Sequence, residues 1–297
     1  MPSKNRLAHV VTVSQDRIPR DSKETLIRET LAILDEAAGR KPDIVCLPET
    51  FPGYEVEPVP GPTLERVAAW ARAHRAYVVA PLHTLAEGVH YNSAVLIDRS
   101  GRVQGRYDKI HPTEREISDM GVVPGPLSAP VFETDFARIG LQICFDVNWT
   151  DTWARLKQQG AEIVFYSSAY PAHRNLSLLA CANEVYVASA TKEQPSAIYD
   201  ITGDVIARTS LEHRWAYAAL CLGKRLFEWD FHEKKVGAIE KKYGRRLEIR
   251  SYEAEGWFTL ASFDPELAVE EVIQEFELTP LREYIRRAGA AQDRARP

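Results

Sequence analysis

Hydrophobic and polar positions along the first half of the chain alternate between two periods. Short apolar runs at 7–14, 43–47, 77–81 and 137–143 read as strands. Between them, 22–38 carries Leu26, Ile27, Thr30, Leu31, Leu34 and Ala37 at helical spacing, with Ser22 and Glu24 near its start. The stretch 62–74 does the same with Leu64, Val67, Ala68 and Ala71. Hairpins follow: 91–98 and 103–108 turn at Arg99-Ser100-Gly101-Arg102, and 196–208 turns at Ile201-Thr202-Gly203-Asp204. Residues 109–130 read as one long loop holding Pro112, Pro124, Pro126 and Pro130, and loops of that length are often functional. Helices are predicted over 150–159 and 174–183, with strands over 163–167, 185–191 and 215–222. Beyond 222 the pattern is less regular: a charged helix near 230–243, a strand near 257–261, a helical stretch over 266–287 and a frayed end over 288–297.

Strands alternating with helices, without a composition break or flexible linker, predict one α/β domain over 1–297 with mixed sheets. Its core spans about 7–263, and 264–297 forms a C-terminal helical extension. That extension is amphipathic and serves either as a cover for its own sheet or as an arm across a neighbour. Of the 297 residues 45% are hydrophobic and 27% charged, which suits an ordinary globular protein. A formal net charge of -5 argues against nucleic acid as the main partner. No stretch has the length of a membrane span and the N-terminus has no secretory apolar core, so a cytoplasmic protein is expected. Cys46, Cys144, Cys181 and Cys221 are widely spaced without C-x-x-C or His-rich patterns, which points to reduced thiols and no zinc site.

Cys144 ends the apolar run at 137–143 just before a predicted helix. By itself such a cysteine is more often buried core than nucleophile, but a strand-to-helix turn also exposes a thiol near backbone N–H groups that favour a thiolate. Glu49 follows the buried strand 43–47, and Lys109 follows the second strand of a hairpin. If the three converge, a carboxylate is available to take the thiol proton and an ammonium to hold an oxyanion. His111 reads as a packing or hydrogen-bonding residue of the loop. His173, His213 and His232 lack metal spacing.

Pro48-Glu49, Tyr107-Asp108-Lys109-Ile110-His111-Pro112 and the segment 139–146 resemble, in order and spacing, the motifs of the nitrilase superfamily of carbon–nitrogen hydrolases. Tyr91-Asn92-Ser93-Ala94, Gly160-Ala161-Glu162-Ile163 and the segment 200–207 strengthen the likeness, which covers most of 7–222. The resemblance implies a four-layer α-β-β-α sandwich with two mixed β-sheets and a Glu49–Lys109–Cys144 triad. It also implies a second glutamate, for which Glu116 fits better than Glu114. It implies a thioester mechanism without metal or organic cofactor, with Lys109 and the Phe145 N–H facing the oxyanion. A homodimer or larger homo-oligomer is implied too. Tyr54, Trp149 and Tyr170 follow these motifs and serve either as substrate-pocket walls beside Phe145 or as core and interface.

Some positions depart from the pattern. Phe145-Asp146 stands where nitrile-specific members carry Trp-Glu, which favours a small linear amide or N-carbamoyl substrate over a nitrile. Val147-Asn148 stands where N-carbamoyl amino acid hydrolases carry arginine, although Arg174 is another source of a cation. Thr150-Asp151 replaces Pro-Glu, and 179–183 lacks an expected ion pair. Acyl transfer to an amine or alcohol is the alternative activity, and a non-catalytic interaction module ranks last because all three chemical residues are present.

Overall fold

The computed structural model describes residues 5–230 and 232–297, which form two compact units: 9–220, and 221–297 together with the residues before 9. In chain order the larger unit comprises β1 (Leu7–Val13), α1 (Lys23–Ala37), β2 (Ile44–Cys46), β3 (Glu57–Pro58), α2 (Pro62–His74), β4 (Tyr77–Ala86), β5 (Val89–Ile97) and β6 (Val103–Asp108). It continues with α3 (Glu114–Ser118), β7 (Val131–Glu133), β8 (Arg138–Ile143), α4 (Thr150–Gln158), β9 (Ile163–Ser168), α5 (His173–Asn183), β10 (Tyr186–Thr191), β11 (Ala197–Tyr199), β12 (Val205–Arg208) and β13 (Trp215–Cys221).

One sheet runs β13-β1-β2-β4-β5-β6 with β3 added beside β4, and the other runs β12-β11-β10-β9-β8-β7. Both are mixed. β1, β2 and β4 are parallel, as are β8, β9 and β10, while the hairpin strands attach antiparallel. The parallel centres are buried on both faces, so β2, β8 and β9 consist of fully buried residues or nearly so. Helices α1 and α2 cover the first sheet: Leu26, Ile33 and Leu34, with Leu64, Val67 and Ala71, pack on Val11, Val45 and Val78. α4 and α5 lie on the second sheet, where Leu156 meets Gly140 and Ser177 Oγ donates to Gly203 O at 2.7 Å. The inner faces of the sheets meet through short polar bonds: Thr12 Oγ1 donates to Ser189 O at 2.5 Å and Ser167 Oγ to Leu47 O at 2.8 Å. The larger unit is thus the four-layer α-β-β-α sandwich.

Local chemistry sets the boundaries. Ser22 caps α1 by accepting from Thr25 N at 3.1 Å, and Pro62 opens α2, where a missing N–H costs nothing. Residues 109–130 are not one loop, because Thr113 Oγ1 accepts from Glu116 N at 3.2 Å while Glu116 Oε2 accepts from Thr113 N at 2.8 Å. That reciprocal cap starts α3, and its sequence sign is the Thr-x-x-Glu of 113–116.

The smaller unit contains β14 (Arg225–Glu228), α6 (Glu233–Tyr243), β15 (Leu247–Tyr252), β16 (Trp257–Ser262), α7 (Val269–Glu275) and α8 (Leu281–Ala295). Its antiparallel sheet, ordered β14-β16-β15, buries Phe227, Phe258 and Leu260 against Ile239 of α6 and Val269 and Val272 of α7. β14 and β15 carry too many charges to show a strand pattern, and pairing with β16 makes them strands. The predicted helical stretch 266–287 divides at Pro280, the residue before α8. The end is not frayed over 288–297: α8 continues to Ala295, aided by Arg296 N donating to Gln292 O at 3.1 Å. No helix among the described residues is long and apolar enough to cross a membrane.

A Cβ built on Gly140, in the middle of β8, would stand 2.9 Å from Leu156 Cδ1. Gly140→Ala is therefore expected to overpack the layer between β8 and α4 and cost about 1–3 kcal/mol, read as an earlier midpoint in chemical denaturation.

Candidate active site

Glu49, Lys109, Glu116 and Cys144 are brought together from four separate segments beyond the ends of β2, β6 and β8. Lys109 is 1% exposed, and its ammonium donates to Glu49 Oε1 at 2.9 Å and to Glu116 Oε1 and Oε2 at 2.9 and 2.8 Å. Burial works against that charge, but Glu49 foremost, then Cys144 and Glu116, outweigh it and raise the lysine above its usual range. The Glu116 carboxyl is held below its ordinary value despite burial, because Lys109, Thr113 and Asn92 all stabilise the anion. Asn92, on β5, donates one amide nitrogen to both carboxylates, at 2.9 Å to Glu49 and 2.8 Å to Glu116.

Cys144 sits at the first residue after β8 with φ +45°, a left-handed conformation that a non-glycine residue adopts at a cost. Thr50, next to Glu49, is left-handed too, at φ +44°, and is β-branched. Both turns are held from outside. Tyr166 OH donates to Cys144 O at 2.8 Å, and Lys192 Nζ donates to Thr50 Oγ1 at 2.6 Å. A short 3-10 turn begins at Cys144, so the Phe145 N–H lies in a first turn that offers it no intrahelical partner. Burial first, and then the Glu49 charge, push the Cys144 thiol up to about 12; Lys109, Ser168 and the Ala169 N–H pull the other way. The resting thiol is therefore neutral at physiological pH, and a base is needed to expose the thiolate.

Asp146 is fully buried and ties the two sides of the site. Its carboxylate accepts from Tyr107 OH at 2.7 Å, from Ile143 N at 3.0 Å and from His111 N at 2.9 Å. It thereby joins the end of the cysteine strand to the chain just after Lys109. His111 is a loop-packing residue as its sequence reads: Nδ1 lies 3.0 Å from Asp146 Oδ1 and its ring stacks on Trp149 at 3.9 Å. Phe145, the residue after Cys144, meets Trp149 edge-on at 5.3 Å. Tyr170 is half-exposed, bonds Tyr166 and lies within electrostatic range of Cys144. Tyr54 is exposed and lies against His83 at 5.8 Å, with the Lys192 ammonium over its ring at 4.6 Å.

Asn92, Asp146, Ser168 and Lys192 belong to this surrounding shell but do not announce themselves in sequence. Asn92 lies within the Tyr-Asn-Ser-Ala segment and Asp146 within the cysteine segment, yet the bonds of Asn92 to Glu49 and Glu116 and of Asp146 to Tyr107 and His111 join segments separated in the chain. Among the described residues no three His, Cys, Asp or Glu side chains are grouped as a metal set.

The carbon-nitrogen hydrolase family profile matches residues 10–224. The N-carbamoylputrescine amidase of Solanum lycopersicum is 29% identical over 187 residues, covering 57% of this chain and 61% of that protein, under two thirds of its length. The omega-amidase NIT2 of Homo sapiens is 25% identical over 236 residues, covering 68% and 85%. Among solved structures, Saccharomyces cerevisiae Nit3, a member of branch 10 of the nitrilase superfamily, superposes with a TM-score of 0.65 at 18% identity, covering 80% of this chain and 95% of that one. A mutant amidase from Nesterenkonia sp. AN1, with the acetamide moiety of fluoroacetamide covalently added at its active-site cysteine, gives 0.63 at 17% identity over 82% and 99%. With the family profile extending across both sheets of the sandwich and through Glu49, Lys109, Glu116 and Cys144, the chain belongs to the carbon–nitrogen hydrolase family.

Proposed function

We propose that this protein hydrolyses the C–N bond of a small linear amide or N-carbamoyl compound, with Cys144 as nucleophile, Glu49 as general base and acid, and Lys109 as oxyanion partner. The observation that carries the reading is the buried Lys109 ammonium, 2.9 Å from Glu49 and electrostatically coupled to a thiol that is neutral at rest.

In the first half, Glu49 takes the Cys144 proton as sulfur bonds to the carbonyl carbon. The carbonyl electron pair moves onto oxygen, where Lys109 Nζ and the Phe145 N–H receive it. The pair returns, the C–N bond breaks, and the protonated Glu49 gives its proton to the departing nitrogen, releasing ammonia or an amine and leaving a thioester. In the second half Glu49 takes a proton from water as the water oxygen attacks the thioester. Collapse releases the acid and restores the thiol. Glu116 keeps Lys109 aimed through its two bonds. Phe145, Trp149 and Tyr170 line the approach, and Tyr54 stands at the rim.

The amidases of tomato and human among the relatives support an amide or carbamoyl substrate over a nitrile. Four cysteines without disulfides support a cytoplasmic setting. A homodimer or larger assembly through surface helices is part of this reading. In this reading the whole chain acts as one hydrolase domain over 1–297.

Purified protein incubated with short amides and N-carbamoyl amines is expected to release ammonia or amine, and Cys144→Ala to abolish the release. Turnover that survives Cys144→Ala would remove the cysteine from the mechanism. The thiol titration checks Glu49 separately. In the wild type, alkylation by iodoacetamide should rise only in the alkaline range, because burial first, and then the Glu49 charge, disfavour the thiolate. Glu49→Gln removes that repulsion, so the alkylation midpoint is expected to fall while amide turnover drops by about 100-fold or more. An unmoved midpoint would show that Glu49 does not face the thiol.

A further inference from the structure

His83 and His90 form a pair of rings that the proposed chemistry leaves unused. His83, on β4, is 1% exposed and stands directly across the ladder from Asn92, the residue that donates to both Glu49 and Glu116. His90, on β5, precedes Asn92 by two positions and so lies on the same face of the sheet. His83 Nδ1 is 2.6 Å from His90 Nε2, and His90 Nδ1 is 3.0 Å from Met120 O. A carbonyl only accepts, so His90 Nδ1 carries a proton; its neutral ring then offers a lone pair at Nε2, to which His83 Nδ1 donates. Burial first, and then His90, pull His83 down to about 4, so its own ring is neutral at pH 7. The pair is thus a directed relay of hydrogen bonds from β4 through β5 to the Met120 carbonyl.

That carbonyl belongs to the chain leaving α3. A helix of five residues makes too few bonds to hold itself in place, and the reciprocal cap at Thr113 fixes only its start. Its exit is held by Val122 N, which donates to Glu116 O at 2.9 Å, and by His90, whose ring donates to Met120 O and whose own carbonyl accepts from Val123 N at 2.8 Å. Glu116 lies between these two anchors. Its carboxylate accepts from Lys109 at 2.9 and 2.8 Å, from Asn92 at 2.8 Å and from Thr113 N at 2.8 Å, so a small tilt of α3 would part it from the ammonium. On the other side His83 meets the Tyr54 ring edge-on at 5.8 Å, and Tyr54 shares the loop between β2 and β3 with Glu49. The pair therefore stands between the two segments that supply the carboxylates of Lys109.

We propose that His83 and His90 are positioning residues for Glu116: the relay fixes the chain after α3, and with it the carboxylate that aims Lys109. In its effect on turnover the proposal rests on the hydrolase reading; the hold of the pair on α3 does not. Neutral rings suit the task. His83 lies within electrostatic range of Lys109 and Glu116, so an imidazolium there would add a second cation to a buried cluster, whereas a neutral pair orients the segment and leaves the charges as they are.

Three variants and two measurements separate a relay from packing. His83→Leu fills the buried space but donates nothing, His83→Asn puts an amide N–H near the place of Nδ1, and His90→Phe keeps a ring without nitrogen. His90 is only half-buried, so His90→Phe keeps the test standing should His83→Leu fail to fold. By amide hydrogen exchange, the segment 116–125 is expected to lose protection by about tenfold in His83→Leu and His90→Phe and to regain most of it in His83→Asn. On an amide that the wild type hydrolyses, kcat is expected to fall by about tenfold in the same two variants, with KM changed by less than about twofold, and His83→Asn to recover kcat to within about threefold. Packing alone predicts the reverse order, since leucine suits a buried site better than asparagine. That order overturns the relay, as does unchanged exchange in 116–125, or faster exchange with kcat intact. If the wild type hydrolyses no amide while the exchange order holds, the hydrolase reading fails and the hold of the pair on the Glu116 segment stands.

Discussion

Lys109 is the charge on which the site depends. An ammonium that is 1% exposed survives in a protein interior only with anions in contact, and Glu49 and Glu116 supply them from two different segments. Each partner is fixed in turn: Glu116 by the cap it makes for α3, Glu49 by Asn92, and the lysine backbone by its N–H to Asn92 O at 2.9 Å. Breaking a buried pair of this kind on one side costs about 3–5 kcal/mol, chiefly by stranding the other charge. The cluster therefore holds the ends of β2, β5 and β6 and the start of α3 in one arrangement, and the thiol of Cys144 is set against a rigid electrostatic wall.

The same cluster explains why the thiol is neutral. Burial first, and then the Glu49 charge, oppose a thiolate more than Lys109 favours it, so the proton stays on. A site arranged for a standing thiolate would show the opposite balance, with cations in excess. Here a carboxylate, Glu49, raises the thiol further, and the acid form of the thiol is the resting state.

Much of this could be read from the chain because it is written in local signals. The helices α1 and α2 follow from periodicity, Ser22 and Pro62; β2, β6 and β8 follow from short apolar or β-prone runs; and Glu49, Lys109 and Cys144 stand at the ends of those strands. What escaped was settled by partners distant in sequence. β14 and β15 are strands because β16 lies between them, and β3 and β7 are two- and three-residue segments completed by β4 and β8. α3 was legible in principle, since Thr113 and Glu116 spell a reciprocal cap, but four prolines in 109–130 masked it. Asp146 illustrates the limit most plainly: nothing next to it in sequence tells that its carboxylate will reach Tyr107 and the His111 N–H.

The strained turns at Thr50 and Cys144 have a consequence for the order in which the chain becomes competent. Neither left-handed residue is stable alone; each is held by a group that comes later in the sequence, Thr50 by Lys192 and Cys144 by Tyr166. During synthesis the Thr50 turn therefore emerges 142 residues ahead of Lys192, and the Cys144 turn 22 residues ahead of Tyr166. Both turns gain the partners that hold them only once β9 has formed and the chain has passed the end of β10.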